Sequence, residues 1–263
     1  MTILHRACMA TAGCAAILVV LLLQPCRAAD EPAPVELPAW LKTAVSDGRV
    51  KVEFYDPAKS PRPYPGWTDF EFKLNYRYEY QVKWREVNPR KHVVTISPTF
   101  SSITVPVSHH VQLPKSLESA RWFQSHLARH ELEHVVIGSQ PRLKMLGERL
   151  VKRITHIERT VVKTSDVTDD WVTRAIDEEV APRNKAIETL VLDINREFDK
   201  RTNHGAQPLE DPQAFFASLY SKEHLDEMKF PYLPEVLDLV NSREYQKAGW
   251  QPDAFPIDPL LKE

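Results

Sequence analysis

The segment His130-Glu131-Leu132-Glu133-His134 carries the clearest chemistry in the sequence. Residues four apart on an α-helix lie about 40° from one another, so both imidazoles can reach a single metal ion. Glu131 lies about 100° round the helix from His130, where its carboxylate can reach a water held at the metal rather than the metal itself. The spacing therefore predicts that His130 and His134 bind zinc and that Glu131 is the general base of a hydrolysis.

A catalytic zinc needs a third protein ligand and an open coordination position. Glu148 stands in the next predicted helix, one step off its apolar stripe, and His204 stands at the end of a long helical region beside Gly205. A histidine at a helix C-terminus also interacts favourably with the helix dipole, so position alone leaves the role of His204 open. The alternative for the whole motif is a pair of core histidines satisfied by hydrogen bonds.

The motif requires a helix, and the surrounding sequence predicts one. Apolar residues recur at spacings of three and four from Ser116, the expected N-cap, to Gly138, and both histidines occupy this stripe. Pro141 opens a second predicted helix, whose stripe runs to Val161. A third helical region is expected over about residues 169–202, interrupted at Pro182, and two shorter amphipathic stretches follow it.

Strands are predicted before these helices. We expect strands at Val50–Phe54, along the strictly alternating run from Phe72 to Trp84, at His92–Ser97, and once or twice within Ile103–Leu113. The aromatic stripe of the alternating run is better explained by core packing than by a binding platform. Strands followed by helices indicate an α+β fold, in which an N-terminal antiparallel β-sheet precedes a helical bundle that carries the motif helix.

The N-terminus has the pattern of a secretory signal. Residues 1–28 combine Arg6, an apolar run from Ala15 to Leu23, and small residues before the expected cleavage site after Ala28. We expect a periplasmic or secreted bacterial protein with no stable membrane span after cleavage. All three cysteines lie in this segment, so the mature chain has no thiolate ligand and no cysteine nucleophile.

The remaining chain divides into three predicted parts. Residues 29–44 form a Pro-rich flexible lead-in, residues 45–207 a metallopeptidase-like domain, and residues 208–263 a C-terminal helical extension of unknown role. The composition excludes some partners. A net charge of −2 without a basic run is not typical of a nucleic-acid binder, and only 7 glycines argue against phosphate-binding loops.

The segment from about residue 45 to residue 207 resembles the uncharacterised bacterial family of predicted secreted zinc-dependent proteases. The resemblance is carried by Val111-Gln112-Leu113-Pro114, Trp122, the HELEH motif, the pair Phe198-Asp199 and the element Thr202-Asn203-His204-Gly205. It implies that His204 is the third zinc ligand and that Asp199 orients an imidazole. The sequence departs from such motifs at Glu133, where a glycine is frequent. Glu133 is either solvated or adds negative charge near the metal.

These observations predict an exported zinc-dependent metallopeptidase that acts on a peptide or protein substrate through water activated by zinc and Glu131. One alternative is a zinc-binding scaffold, or a catalytically inactive protein that binds a partner. Another is a zinc amidase that acts on cell-wall peptides. Among other histidines, His126 could extend the metal face, and one of His109 and His110 could stabilise an oxyanion.

Overall fold

The computed structural model describes residues 36–61 and 63–249. The predicted signal segment and residues 29–35 of the predicted lead-in lie outside the described residues. In the part of the chain that the structure describes, no helix combines the length and the apolar character needed to cross a membrane.

The helices of the described chain range from five to 34 residues. They are α1 (Ala39–Ser46), α2 (His126–Gly138), α3 (Pro141–Lys152), α4 (Asp169–Thr202), α5 (Pro212–Ser218), α6 (Lys222–Glu227), α7 (Leu233–Val240) and α8 (Arg243–Lys247). The motif helix α2 begins later than predicted, because the Ser125 side chain rather than that of Ser116 caps it by accepting from the backbone N–H of Ala128. It ends at Gly138, as predicted.

The described strands form two three-stranded sheets. They are β1 (Val50–Tyr55), β2 (Trp67–Phe72), β3 (Asn75–Asn88), β4 (Lys91–Thr104), β5 (Val107–Pro114) and β6 (Ile157–Val161). The first sheet has the order β1-β5-β2 and the second the order β3-β4-β6. The α+β class is confirmed, with most strands ahead of the helices. The antiparallel expectation holds for every pair except β1 and β5, which run parallel.

The predicted continuous strand from Phe72 to Trp84 is divided between the two sheets. β2 ends at Phe72 and pairs with β5, whereas β3 begins at Asn75 and pairs with β4. Between them, the backbone N–H of Lys73 donates to the carbonyl of Pro106. A period of two persists through such a junction, so the pattern alone does not reveal where a strand changes partner.

The second predicted helix is shorter than its apolar stripe. α3 ends at Lys152, and the stripe's last residues, Ile157 and Val161, are the buried ends of strand β6. A separation of four residues places two side chains on one face of either a helix or a strand, which explains the wrong assignment. The third helical region is uninterrupted, since Pro182 lies inside α4.

The tyrosines of the alternating run pack against α4, as predicted. The hydroxyls of Tyr76 and Tyr80 each donate to a carboxylate of α4, that of Asp177 and that of Asp169, at 2.5 Å. Both rings flank a buried cluster that includes Val94 of β4. The tyrosines therefore attach the second sheet to the N-terminal half of α4, whereas Trp84, at the end of the predicted stripe, is 61% exposed.

The described residues, 36–61 and 63–249, belong to one compact unit. Part of the predicted lead-in is helical, because Leu41 on α1 is fully buried. The predicted division after residue 207 is not a structural boundary. Phe215, Phe216 and Tyr220, which follow it, belong to the same core cluster as Phe198 of α4.

Candidate metal centre

Three side chains from two helices converge on one point. His130 and His134 of α2 lie one helical turn apart, with their Nε2 atoms 3.3 Å from one another. The Oδ1 atom of Asp199 on α4 lies 3.2 Å from Nε2 of His130 and 3.1 Å from Nε2 of His134. All three atoms fall within a single group of possible metal donors.

The size of this triangle suits a small divalent cation. Zinc binds histidine nitrogen and carboxylate oxygen at about 2.0–2.2 Å, so neighbouring donors of a tetrahedral site stand about 3.3–3.5 Å apart. The observed separations of 3.1 to 3.3 Å approach that value. Two imidazoles and one carboxylate also form a common donor set for catalytic zinc.

Aromatic packing explains why Asp199 reaches the two rings. Phe198, its fully buried neighbour, stacks on His130 at 5.0 Å between ring centres and meets His134 edge-on at the same distance. Phe198 of α4 thus packs directly against both rings of the motif helix. Asp199 is the next residue in the chain, so it lies beside the same rings. On the far side, Gly205 packs so closely on His130 that a Cβ there would lie 2.7 Å from the ring Cγ.

A hydrogen bond to Asn195 orients the ring of His134. The Asn195 side-chain oxygen lies 2.6 Å from Nδ1 of His134, and its amide nitrogen donates to the backbone carbonyl of Val191. Because the amide nitrogen is used in this way, the oxygen must accept from Nδ1–H. Nε2 then carries a lone pair that faces Asp199, as a metal-ligating imidazole requires.

The charges of the cluster are coupled. Burial alone would raise the pKa of Asp199, but hydrogen bonds and attraction from both histidines outweigh it and hold that pKa well below its ordinary value. Burial likewise opposes a charge on His134, yet the contact with Asp199 and the charge of Glu131 raise the pKa of that ring. The site thus favours positive charge at its centre, and a bound cation would take the place of a proton there.

Glu131 is held against strand β2. Its Oε2 atom accepts a hydrogen bond of 2.6 Å from the Thr68 hydroxyl, and the side chain is only 4% exposed. Gly66 leaves room for the carboxylate, because a Cβ at this position would overlap Oε1 of Glu131. Burial raises the pKa of Glu131 above its ordinary value, and the Thr68 hydrogen bond partly offsets this rise.

His204 lies near the cluster but faces another partner. Its Nε2 atom is 3.2 Å from the Tyr64 hydroxyl, and the two rings stack 4.2 Å apart. The sequence predicted His204 as the third ligand and Asp199 as an orienting partner, whereas the structure groups Asp199 with the two motif histidines. The packing of Phe198 against both rings explains why Asp199, the next residue, lies beside His130 and His134.

A cavity of about 700 Å³ opens over the cluster. Residues 64–73, which include β2, form one wall, and residues of α4 form another. His130, Glu131 and His134 of α2 also line it, as does His204. The candidate ligands, the candidate base and the Tyr64–His204 pair therefore share one solvent-accessible space.

The other residues singled out in the sequence lie elsewhere. Glu148 pairs with Lys144 beside a different cavity. Glu133 and His126 line a second cavity of about 200 Å³, and burial raises the pKa of Glu133 to about 7. His109 is buried beneath the C-terminal end of α2.

His110 pairs with Glu53 of β1. Neither His109 nor His110 is among the residues that line the cavity over the candidate ligands.

Sequence reasoning missed Asn195, Thr68, Gly66 and Tyr64. Asn195 could have been found, because it precedes Asp199 by four residues on a predicted helix and so shares its face. The other three lie on β2 or in the loop before it, where no spacing distinguishes them.

Comparison with known proteins identifies no relative, since no protein-family model, no curated protein and no solved structure matches this chain.

Proposed function

We propose that this protein is an exported zinc-dependent metallopeptidase. The observation that carries the proposal is the convergence of two imidazole nitrogens and a carboxylate oxygen beside the buried carboxylate of Glu131, all lining one cavity. His130, His134 and Asp199 would hold the zinc. Bound zinc supplies a Lewis acid and promotes ionisation of water.

Glu131 provides the proton transfers of the reaction. Its carboxylate accepts a proton from the water whose oxygen attacks the peptide carbonyl carbon, and it later delivers that proton to the departing amine nitrogen as the C–N bond breaks. Burial makes the carboxylate a stronger base than an exposed one, and Thr68 holds it in place. A site that only binds metal has no need of such a residue.

The shape of the cavity supports an extended peptide as substrate. β2 is the outer strand of the order β1-β5-β2, so among the described strands it has a partner on one side only. Consecutive residues from Tyr64 to Lys73 line the cavity. A peptide laid along β2 would gain backbone hydrogen bonds that do not depend on its sequence.

Metal content and hydrolysis test the proposal together. Purified protein should contain about one zinc per chain and should cleave denatured fluorescein-labelled casein. Glu131→Gln should keep the zinc and lose about 10²- to 10⁴-fold in kcat. His134→Ala and Asp199→Ala should lose both zinc and activity.

Four outcomes contradict the proposal in different ways. A wild-type protein that takes up no zinc after refilling removes the metal site. Zinc without any hydrolysis would leave a zinc-binding scaffold. Hydrolysis that survives Glu131→Gln would exclude the proposed base. If casein is left intact but isolated cell-wall peptides are cut, the activity is that of an amidase.

A further inference from the structure

The contact between Tyr64 and His204 joins the two walls of the cavity. Tyr64 precedes β2 and His204 follows α4, so 140 residues separate them in the chain. Their rings stack with an angle of 19° between planes, and the Tyr64 hydroxyl lies 3.2 Å from Nε2 of His204. Tyr64 is 41% exposed and is among the residues that line the cavity.

Each member of the pair is tied to a residue of the candidate site. Tyr64 stands two positions before Gly66, which packs on the carboxylate of Glu131. His204 directly precedes Gly205, which packs on the ring of His130. The pair is thus placed next to both the candidate base and a candidate ligand, without belonging to the donor group.

The backbone that carries His204 is unusual. Asn203, His204 and Gly205 have φ angles of 47°, 53° and 77°, all in the left-handed region. For a residue other than glycine, this conformation is strained. The backbone N–H of His204 donates to the carbonyl of Asp199 at 2.8 Å, which links the position of His204 to that of a candidate ligand.

We propose that Tyr64 is a catalytic residue and that His204 positions it, an inference that rests on the proposed peptidase function. The Tyr64 hydroxyl donates a hydrogen bond to the carbonyl oxygen of the scissile peptide as negative charge develops there. Nε2–H of His204 donates to the oxygen of Tyr64. This bond leaves the hydroxyl proton of Tyr64 free for the substrate and makes the hydroxyl a stronger donor. No proton is transferred in this step.

Conservative variants isolate the two hydrogen bonds. Tyr64→Phe keeps the stacked ring and removes only the hydroxyl, and His204→Gln keeps a side-chain N–H donor of similar reach. Tyr78→Phe and His110→Gln are matched controls, because Tyr78 of β3 donates to Thr173 of α4 and His110 contacts Glu53. For each variant we would measure bound zinc, and kcat and KM on the casein-derived peptide that the wild type cleaves fastest.

The proposal expects a loss in kcat without a loss of metal. Tyr64→Phe should lower kcat about 100-fold and change KM less than about threefold, as for removal of one oxyanion donor. His204→Ala should lower kcat about 10-fold, His204→Gln should restore most of that loss, and the variant with both Tyr64→Phe and His204→Ala should be no slower than Tyr64→Phe alone. Zinc should remain at about one per chain in all of them.

Several results would overturn this assignment while leaving the peptidase intact. Zinc lost from His204→Ala and His204→Gln would make His204 a ligand. A rise in KM at constant kcat would make the pair a binding surface, and an unchanged kcat in Tyr64→Phe would remove its role altogether. A wild-type protein without any hydrolysis is a different failure, because it refutes the proposed function and the role of Tyr64 with it.

Discussion

The ring of His134 can bind a metal only if its Nδ1 proton is held on the side away from Asp199. Asn195 does this through a bond of 2.6 Å, and its own orientation is set by the carbonyl of Val191. Such supporting hydrogen bonds limit rotation of the imidazole and increase its basicity. We therefore expect the metal affinity of this candidate site to depend on a residue outside the donor group.

We expect Asn195→Ala to weaken zinc binding by about 10- to 100-fold, because the ring loses the side-chain oxygen that accepts from Nδ1–H. Competition with a chromogenic zinc chelator measures this change. Asn184→Ala is the matched control, since Asn184 is also half-buried on α4 but contacts Glu188 instead. Equal affinities for the two variants would contradict the role given to Asn195.

His109 makes stability dependent on pH. It is only 4% exposed, its ring nitrogens lack hydrogen-bond partners among the described residues, and burial lowers its pKa from 6.5 to about 4. Between these two pH values the unfolded chain binds a proton that the folded protein does not. The folded state consequently loses stability as pH falls through this range.

The His109→Leu variant should lack the loss of stability that protonation of His109 causes at low pH. The free energy of unfolding of the wild type, relative to the variant, should fall by up to about 3 kcal/mol between pH 7.5 and pH 4. Urea titrations of both proteins in EDTA at several pH values test this. A constant difference for His109→Leu would show that the ring is accessible to protons in the folded protein.

At the scale of elements, the end of α4 shapes the site. The helix stops at Thr202, and the left-handed residues that follow turn the chain back so that Gly205 reaches the ring of His130. The structure thus explains the His-Gly element of the sequence. Gly205 allows the backbone to approach the ring of His130, and His204 contacts Tyr64. A side chain at residue 205 would compete with His130 for the same space.

Gly205→Ala should cost about 1 kcal/mol of stability from its φ of 77° and should also weaken zinc binding by displacing His130. Gly48→Ala separates the two effects, because Gly48 has the same φ of 77° and a Cβ there would meet nothing within 4 Å. We expect Gly205→Ala to be the more destabilised of the two, because it adds a clash with His130 to the shared cost of φ, and we expect a zinc defect only in Gly205→Ala. A zinc defect in both would point to general instability.

At the scale of the whole molecule, the C-terminal helices are part of the fold that supports the site. Arg142 at the start of α3 is buried and donates to the backbone carbonyls of Ala217, Leu219, Tyr245 and Gln246. One side chain thereby ties the segments around α5 and α8 to α3. The core around Phe198 is shared in the same way.

Arg142→Met should lower the free energy of unfolding by about 3 kcal/mol, because four carbonyl oxygens lose a charged donor. It should do so in a single transition, since the residues that the structure describes belong to one compact unit. Urea unfolding followed by tryptophan fluorescence and by circular dichroism measures both properties. Arg196→Met, which breaks an exposed pair with Asp193, should cost under about 1 kcal/mol. Two separate transitions in the wild type would contradict the single unit.

The sequence by itself determined what depends on local geometry. The spacing of His130 and His134 places both rings on one face of any helix, and the alternating tyrosines share one face of any strand. The end of α4 at Thr202 was likewise readable from Asn203 and Gly205. The prediction from local patterns was wrong where one spacing fits both a helix and a strand. Ile157 and Val161 were assigned to a helix but lie in β6.

The tertiary structure alone decided which residue joins the two histidines. Asp199 lies 65 residues beyond His134, and no periodicity distinguishes it from His204 or Glu148 as a partner. The choice depends on how closely α4 approaches α2, and that distance is set by Phe198 between them and by Gly205 behind His130. Packing between distant segments is a property of the whole core, so it becomes visible only when the chain is folded.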